Sequence, residues 1–475
     1  MNFINLFVLA ILLPIGVYSQ NPFNKLYGDS IRDEGFFKIS IYNSNQFVTS
    51  RYTDIEGLGA MFLNEFGDSI HSYIEAVDGG WSAGYHDIGN NNFVTTGGYY
   101  ITNLNRHDVL LQIVNTTSTI SPLLKHYGGA DNDWGNDMAI LPDSGYMIVG
   151  TTQSYGAGAS DVYIIRTNKN GDTLWTRTFG DAYGQEAKGI EKQNDSLYIV
   201  AGLWGNINTN STDPFAMKIN LNGDTSDFHF YGNNLQNFGQ SLCKTADGGY
   251  AIAGWSTVDY GGTYSPDGVI YKTDSNLNLQ WTKYYGTIYN EDIFDIQNTY
   301  DNGFILVGYS QRPSQGEDVY IVRTDSIGDT IWTKTIGGAY DDRAYSVVQS
   351  PDSGFAIVGN TYSYGAGGSD AFFLKLKPNG DITVSIGIIP DLKNLGIKLY
   401  PNPTKENITI DFKNTLSQES ELIIYNTLGQ KIRSYHLQKQ QSEINIGLYG
   451  IKPGVYYFEL LTNHKTIGTG KFIKE

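Results

Sequence analysis

A single cysteine, Cys243, is all that the 475 residues contain. No intramolecular disulfide can form, so stability must come from packing and closure of the chain upon itself. Cys243 sits in the alternating segment SLCKT and reads as a small buried apolar residue rather than a reactive thiol. Extended segments with the three-to-four apolar spacing of an amphipathic helix are also missing, which excludes a helical protein. Positive charge is scarce, with 32 Lys and Arg against 49 Asp and Glu and a formal charge of −17. Residues 391–475 are close to balanced, with 11 basic and 8 acidic side chains, so the chain upstream carries −20. Such a surface repels phosphate backbones and anionic membranes, and nucleic acid is not expected as a partner. No HExxH, CxxC, Walker-type loop or Ser/His/Asp set occurs, which leaves zinc and nucleotide chemistry without support.

Long apolar runs are absent as well. The N-terminal MNFINLFVLAILLPIGVYS carries one of roughly a dozen residues, too short for an ordinary membrane span. It is followed by Val17-Tyr18-Ser19, with small residues where a cleavage site needs them, so residues 1–19 are expected to be a secretory signal peptide. No Cys follows the run, and a lipoprotein anchor is not expected. The mature chain is then expected to hold no transmembrane span.

What is abundant is glycine and tyrosine, and both recur in register. The glycine closing one strand of each unit appears as Gly28 (KLYG), Gly79 (AVDG), Gly128 (KHYG), Gly180 (RTFG), Gly232 (HFYG), Gly286 (KYYG) and Gly337 (KTIG), at intervals of 51, 49, 52, 52, 54 and 51. Each unit carries four strand signals: WTK or WTR, an alternating stretch such as YSVVQSPD, an apolar one such as GFAIVG, and one such as DVYIVRT. The breaks Asp143-Ser144-Gly145, Asp247-Gly248-Gly249, Asp301-Asn302-Gly303 and Asp352-Ser353-Gly354 supply the Asp and positive-φ residues of tight hairpins, and NGD-type turns follow the fourth signal. Four antiparallel strands repeated seven times about every 52 residues predict an all-β, seven-bladed β-propeller over residues 20–384. Both NPFNKLYG and the late DITVSIG resemble the strand that opens a unit, and either could close the ring. The first two units are weaker, with Asn45-Gln46 and Asn91-Asn92 in place of the DxG hairpin.

In an up-and-down meander alternate connections share a face. The regular DxG and NGD hairpins therefore fall together, and the long irregular loops fall together opposite, where recognition is expected. Trp134, Trp204 and Trp255, with Tyr155, Tyr260 and Tyr364, lie on or beside those irregular loops and are candidates for stacking on sugar rings or anchoring a protein, against packing between adjacent loops. Asp131, Asp133, Asp341 and Asp342 follow equivalent strand ends. They are a speculative metal set, because calcium needs six to eight oxygens, but DND and DD lack the ligand series of a dedicated calcium loop. No other cofactor is expected. Gly67-Asp68-Ser69-Ile70 has the outline of a GDS nucleophile block, yet it occupies the repeat position of GDTLW and reads as a hairpin. The glycine loops at Tyr155 and Tyr364 precede strands and have Asp161 and Asp370 close by, which argues against phosphate.

After a linker at 385–395, residues 396–475 shift to Lys, Leu and Ile with strict alternation, enough for a small C-terminal β-sandwich. Here Tyr400-Pro401-Asn402-Pro403, the later YNTLGQ with Gly429, Gly454-Val455-Tyr456 and the terminal run from Lys471 to Lys474 together resemble the type A C-terminal sorting domain of the Bacteroidetes type IX secretion system. That resemblance implies export through the inner membrane, periplasmic folding, and passage across the outer membrane by the type IX machinery, ending surface-attached or released. The upstream units are similar to propeller repeats of secreted Bacteroidetes proteins, a similarity that carries no fixed activity. The expectation for function is therefore a secreted or cell-surface β-propeller that binds glycan or protein. The alternatives are an extracellular polysaccharide hydrolase or lyase built from propeller loops, and a passive structural repeat.

Overall fold

The computed structural model describes residues 23–28, 34–43, 46–53, 57–75, 80–115, 123–206, 211–233, 235–312, 316–365, 368–383, 397–412, 418–426, 431–462 and 465–475. The expected signal peptide, the linker, Gly79 and Gly429 lie outside them. The chain divides into two compact units, one ending at Thr383 and one beginning at Val384.

The first unit is a seven-bladed β-propeller of four-stranded antiparallel sheets. Blade 3 is typical: Asp133–Ile140, Tyr146–Thr152, Asp161–Thr167 and Thr173–Phe179 pair in that order. The first strands of the blades, Glu34–Asn43, Gly80–Gly89, Asp133–Ile140, Gln185–Lys192, Asn237–Lys244, Glu291–Asn298 and Asp342–Gln349, neighbour one another around the ring, with the last packing against the first. The WTK segments are the fourth strands of their sheets. Each unit read from the sequence therefore begins one strand early and straddles two blades.

Ring closure is made by the N-terminal segment. Lys25–Tyr27 pairs antiparallel with Asp370–Leu376 and completes the sheet of blade 7. Of the competing DITVSIG only residues 381–383 are described, and among them Ile382 makes an isolated bridge to Leu376. Phe23 stacks on Phe372 with ring centroids 4.1 Å apart, and Lys375 N donates to Asn24 Oδ1. Tyr27 donates through its hydroxyl to Gly67 O in the turn of blade 1. Tyr127, Tyr231 and Tyr285 do the same to Gly171, Leu277 and Gly328 of their neighbouring blades. Where a unit ends in YG, as four of the seven do, its tyrosine thus ties the outer strand to the next blade.

The core lies between blades rather than within one central mass. Ile305, Val307, Val319 and Ile321 of blade 6 meet Val347, Phe355, Ile357 and Phe372 of blade 7, all fully or almost fully buried. Each such side chain contributes about 1.5–3 kcal/mol by leaving water. The hairpin face is committed to the fold. Lys272, Arg323 and Lys375, on third strands, reach the hairpin carboxylates Asp247, Asp301 and Asp352 at 2.5–2.8 Å. In blade 2 the weaker hairpin still closes: Asn90 and Asn91 take positive φ of 54° and 60°, a conformation Asn tolerates. In blade 1 Asn43 pairs with Gln46, and Asn45 lies outside the described residues.

The recurring glycine has a steric cause. At Gly128, Gly286 and Gly337 an added Cβ would come within 3.0 Å of two carboxyl groups, one at the start of a third strand and one at the start of the next blade's first strand. The pairs are Asp108 with Asp133, Asp267 with Glu291, and Asp318 with Asp342. Gly28 of the closing strand meets Asp370 in the same way. Gly337→Ala is expected to lower unfolding stability by about 2–4 kcal/mol. Gly35→Ala, whose Cβ would find an ordinary contact at 3.7 Å, is expected to change it little; denaturant melts of the two variants compare them directly.

The second unit packs a three-stranded sheet, Ile397–Tyr400, Asn407–Phe412 and Glu443–Gly447, with a four-stranded sheet ordered Lys431–Leu437, Ser420–Asn426, Gly454–Thr462 and Lys465–Lys474. Its core includes Ile408, Ile410, Leu422, Ile424, Phe458 and Phe472.

Candidate functional site

Every first strand in the ring carries a β-bulge, and the bulges build a cavity. The ladder skips Asn136, Lys188, Gln240, Phe294 and Tyr345 in blades 3 to 7, Phe37 and Lys38 in blade 1, and Ala83 and Gly84 in blade 2. A residue left out of the ladder is free to leave the sheet plane. Here these residues turn toward the axis. With Trp81, Asp137 and Ser241 all of them but Gly84 line a central cavity of ≈ 200 Å³. Most of the lining comes from the opening halves of the first strands, so the cavity lies toward the face of irregular loops.

The residues just after the bulges make a polar belt. Asp295 Oδ1 accepts from Lys38 Nζ at 3.0 Å and from Ser241 Oγ at 2.9 Å, while Oδ2 accepts from Ser346 Oγ at 2.7 Å and Val347 N at 3.1 Å. One carboxylate thereby joins blades 1, 5, 6 and 7. Burial works against the Lys38 charge, but Asp295 and Asp137 together hold its pKa above the ordinary value. Asp137 accepts from Met138 N and from Ile190 N of the next blade, and Asn136 Nδ2 donates to Ala187 O. Burial raises the Asp137 pKa and lowers that of nearby His86. Burial, with the Asp137 charge, raises Glu191 to about 7. Lys188 pairs with Glu186 at 2.6 Å. Both lysines on the cavity therefore have carboxylate partners.

None of the residues singled out from the sequence is among those lining this cavity. Trp204 packs edge-on against Phe215, Phe228 and Phe230, with Nε1 3.4 Å from Asp181 Oδ2. Trp255 stacks on Phe238 at 4.4 Å, and Trp134 lies 6.4 Å from the His107 ring. Tyr155 and Tyr364 donate to Gly128 O and Gly337 O at 2.8 and 3.0 Å, and Tyr260 donates to Asp267 Oδ2 at 2.6 Å. Tyr155 and Tyr364 brace one loop against another, while Trp204, Trp255 and Tyr260 pack within their own blades.

The acids divide by role. Asp133 accepts from Gly129 N and Ser154 Oγ, and Asp342 from Gly338 N and the Thr361 hydroxyl. Both are fully buried at equivalent junctions, and burial raises the Asp342 pKa. Asp341 accepts from Glu317 N, while Asp131 is exposed with its backbone held by Ser154. Among the described residues no cluster of three or more His, Cys, Asp or Glu has the arrangement of a metal site. The amides of the Tyr155 glycine loop are taken by Asp161, which accepts from Ala157 N and Gly158 N. Ser69 simply opens the outer strand of blade 1.

A signal for the cavity residues does exist in the sequence. Aligned by their opening residues, the first strands show Asn, Lys, Gln, Phe and Tyr at the fourth place of blades 3 to 7, directly after a column of Gly, Ala, Gly, Ile and Ala. That column looks irregular because its side chains leave the sheet.

In the second unit, distant parts of the C-terminal motif meet at one corner. Asn402 Oδ1 accepts from Ile473 N, its Nδ2 donates to Lys471 O, and Lys474 Nζ donates to Lys405 O. Thr404 N donates to Ile473 O, and the Tyr456 hydroxyl donates to Lys452 O. The family model of the secretion system C-terminal sorting domain matches residues 398–475. This segment is a type IX sorting domain. The sorting domain implies export to the cell surface or beyond, and among the described residues no helix is long and apolar enough to cross a membrane.

No curated protein matches the chain. Similar solved structures include a protein of unknown function from Bacteroides caccae, 10% identical over 64% of this chain and 94% of that one, with a TM-score of 0.37. Sqt1 from Chaetomium thermophilum is 10% identical over 74% of this chain and 99% of its own, with a TM-score of 0.42. A subtype N11 neuraminidase-like protein from a flat-faced bat isolate of Peru is 12% identical over 65% and 88%, with a TM-score of 0.35. Likeness this distant says nothing about ligand or reaction.

Two predictions follow from these geometries. Asp292, on the first strand of blade 6, has a buried Oδ1 without a hydrogen bond, and its pKa is pushed up to about 8 by burial, with Glu317 adding to the effect. A carboxyl raised in the folded state supports stability below its unfolded pKa and loses that support as pH rises through the folded value. Asp292→Asn should therefore melt a few degrees higher than the parent at pH 8 and at the same temperature at pH 4, read by thermal unfolding at both. For the sorting domain, a chain ending at residue 397 should remain in the periplasm while the full chain leaves it, scored by immunoblots of periplasmic, surface and medium fractions.

Proposed function

We propose that this is an exported binding protein whose propeller takes a neutral saccharide into its central cavity. The observation that carries the reading is the lining. Trp81, Phe37, Phe294 and Tyr345 line it with aromatic rings, and Asn136, Gln240 and Ser241 line it with amide and hydroxyl groups. Sugars need both, because an aromatic face covers the C–H side of a ring while directed polar groups answer its hydroxyls. The charge balance supports a neutral ligand: Lys38 is held by Asp295 and Lys188 by Glu186, so neither demands a carboxylate or sulfate. A volume of ≈ 200 Å³ suits one sugar ring rather than a peptide segment.

The purified propeller should bind at least one member of a panel of neutral mono- and oligosaccharides in isothermal titration calorimetry. Trp81→Ala and Gln240→Ala should each weaken that binding by about tenfold or more, the scale of a lost buried aromatic or polar contact, without lowering the melting temperature. Absence of binding to every neutral saccharide, or binding unaffected by both substitutions, overturns the reading.

A further inference from the structure

The loop face carries exposed tyrosines on one sector, several of them at one repeated position. The connection from the outer strand of one blade to the first strand of the next begins at the recurring glycine. Its fourth residue is Tyr183 between blades 3 and 4, Tyr289 between blades 5 and 6, and Tyr340 between blades 6 and 7. Tyr289 is 42% exposed and Tyr340 65%. Tyr264 and Tyr362, in the irregular loops of blades 5 and 7, are exposed beside them.

These tyrosines are held rather than loose. Ser363 Oγ accepts from Tyr340 N and donates to Tyr340 O, each at 3.0 Å. Tyr289 O accepts from Ser265 Oγ at 2.6 Å, and Tyr289 N donates to Thr287 Oγ1 at 3.2 Å. The backbone of each is clamped by hydroxyl groups, yet its ring remains in water. In the corresponding place between blades 2 and 3 stands Asp131, whose backbone is clamped in the same way by Ser154. The clamp therefore serves the fold at any residue type, and the fold itself asks for no aromatic ring there. The cavity's aromatic wall lies in the same sector: Phe294 of blade 6 and Tyr345 of blade 7 have ring centroids 5.3 Å apart, and Phe294 lies 5.7 Å from Tyr309.

Resting on the saccharide reading of the cavity, we infer that the ligand is a polymer. One terminal sugar enters the cavity, and the residues that follow lie over Tyr264, Tyr289, Tyr340 and Tyr362. Rigid, hydroxyl-bearing rings suit such a chain, since they cover sugar faces with little loss of side-chain entropy and keep a polar edge in water. An acidic protein partner is disfavoured because the chain upstream of residue 391 carries a net charge of −20.

The test uses the full chain with β-glucan, xylan, mannan and α-glucan and their mono- to hexasaccharide fragments, by affinity electrophoresis and calorimetry. On the polysaccharide that binds, affinity should rise by about tenfold or more from mono- to hexasaccharide, as two or more ring contacts would give. Tyr289→Ala with Tyr340→Ala should remove most of that increase and leave the monosaccharide affinity and the melting temperature unchanged. Equal affinity for mono- and hexasaccharide, or a length dependence that survives the double substitution, overturns the polymer inference while leaving the cavity reading standing. No binding of any saccharide overturns both.

Discussion

Pairing of three N-terminal residues, Lys25–Tyr27, with the third strand of blade 7 is the constraint on which the propeller depends. With no disulfide available, this pairing joins with the packing of blade 1 on blade 7, where Phe36, Ile39 and Phe47 meet Val358, Ala371 and Phe373, to hold the two ends of the repeat array together. The strand acts as the missing outer strand of the last blade in every detail. Its tyrosine reaches the turn of blade 1 as other outer-strand tyrosines reach their neighbours, and its Gly28 leaves room for Asp370 as the other glycines do for their acids. Closure brings the seven first strands around one axis, and only then does a cavity exist.

The blade junctions show how an acidic protein tolerates buried carboxyl pairs. Where two acids face the same glycine, a partner usually stands near. Arg106 and His126 approach Asp108 at 3.2 and 2.9 Å, and Arg312 approaches Asp318 at 2.5 Å. At two other junctions the second acid is replaced by an amide, Gln185 opposite Asp161 and Asn237 opposite Asp213. The pair Asp267 and Glu291 has hydroxyl and amide partners, Tyr260, Thr287 and Ser310, and burial pushes the Asp267 pKa up to about 6. A carboxyl raised this way takes up its proton at mildly acidic pH, which removes the repulsion that two buried anions would suffer. The same junctions explain why Asp133 and Asp342, which look like metal ligands in the sequence, serve as caps for their loops.

The two faces of the propeller differ in what their residues are free to do. On the hairpin face, a buried Lys or Arg, an Asp and a positive-φ residue recur together, and changing any one would leave a charge or a backbone group unsatisfied. On the irregular face the hydroxyl clamps hold the backbone and leave side chains open to change, so Asp131 and Tyr340 can occupy one structural position. The bulges extend this freedom to the axis. Seven equivalent places in a repetitive scaffold carry seven different local chemistries, which is how a uniform fold presents an asymmetric site.

Strand count, repeat length, the turn chemistry of the hairpins, the division of loops between faces and the sorting domain were all legible in the sequence, because each rests on local spacing or a contiguous motif. Gly337 could be seen to recur, but its reason, two carboxyls arriving from strands about 20 residues before it and five after it, belongs to the tertiary structure. The sequence places the loop tryptophans on or beside the irregular loops, whereas Trp204 and Trp255 have ring partners in adjacent strands that no one-dimensional reading could place. That Lys25–Tyr27 takes the free edge of Asp370–Leu376 in register, where the sequence offered two segments for closure, belongs to the tertiary structure. The cavity is the furthest from sequence of all. Asn136, Lys188, Gln240, Phe294 and Tyr345 lie about 50 residues apart along the chain, and only ring closure, acting on one bulge per blade, brings them to a common axis.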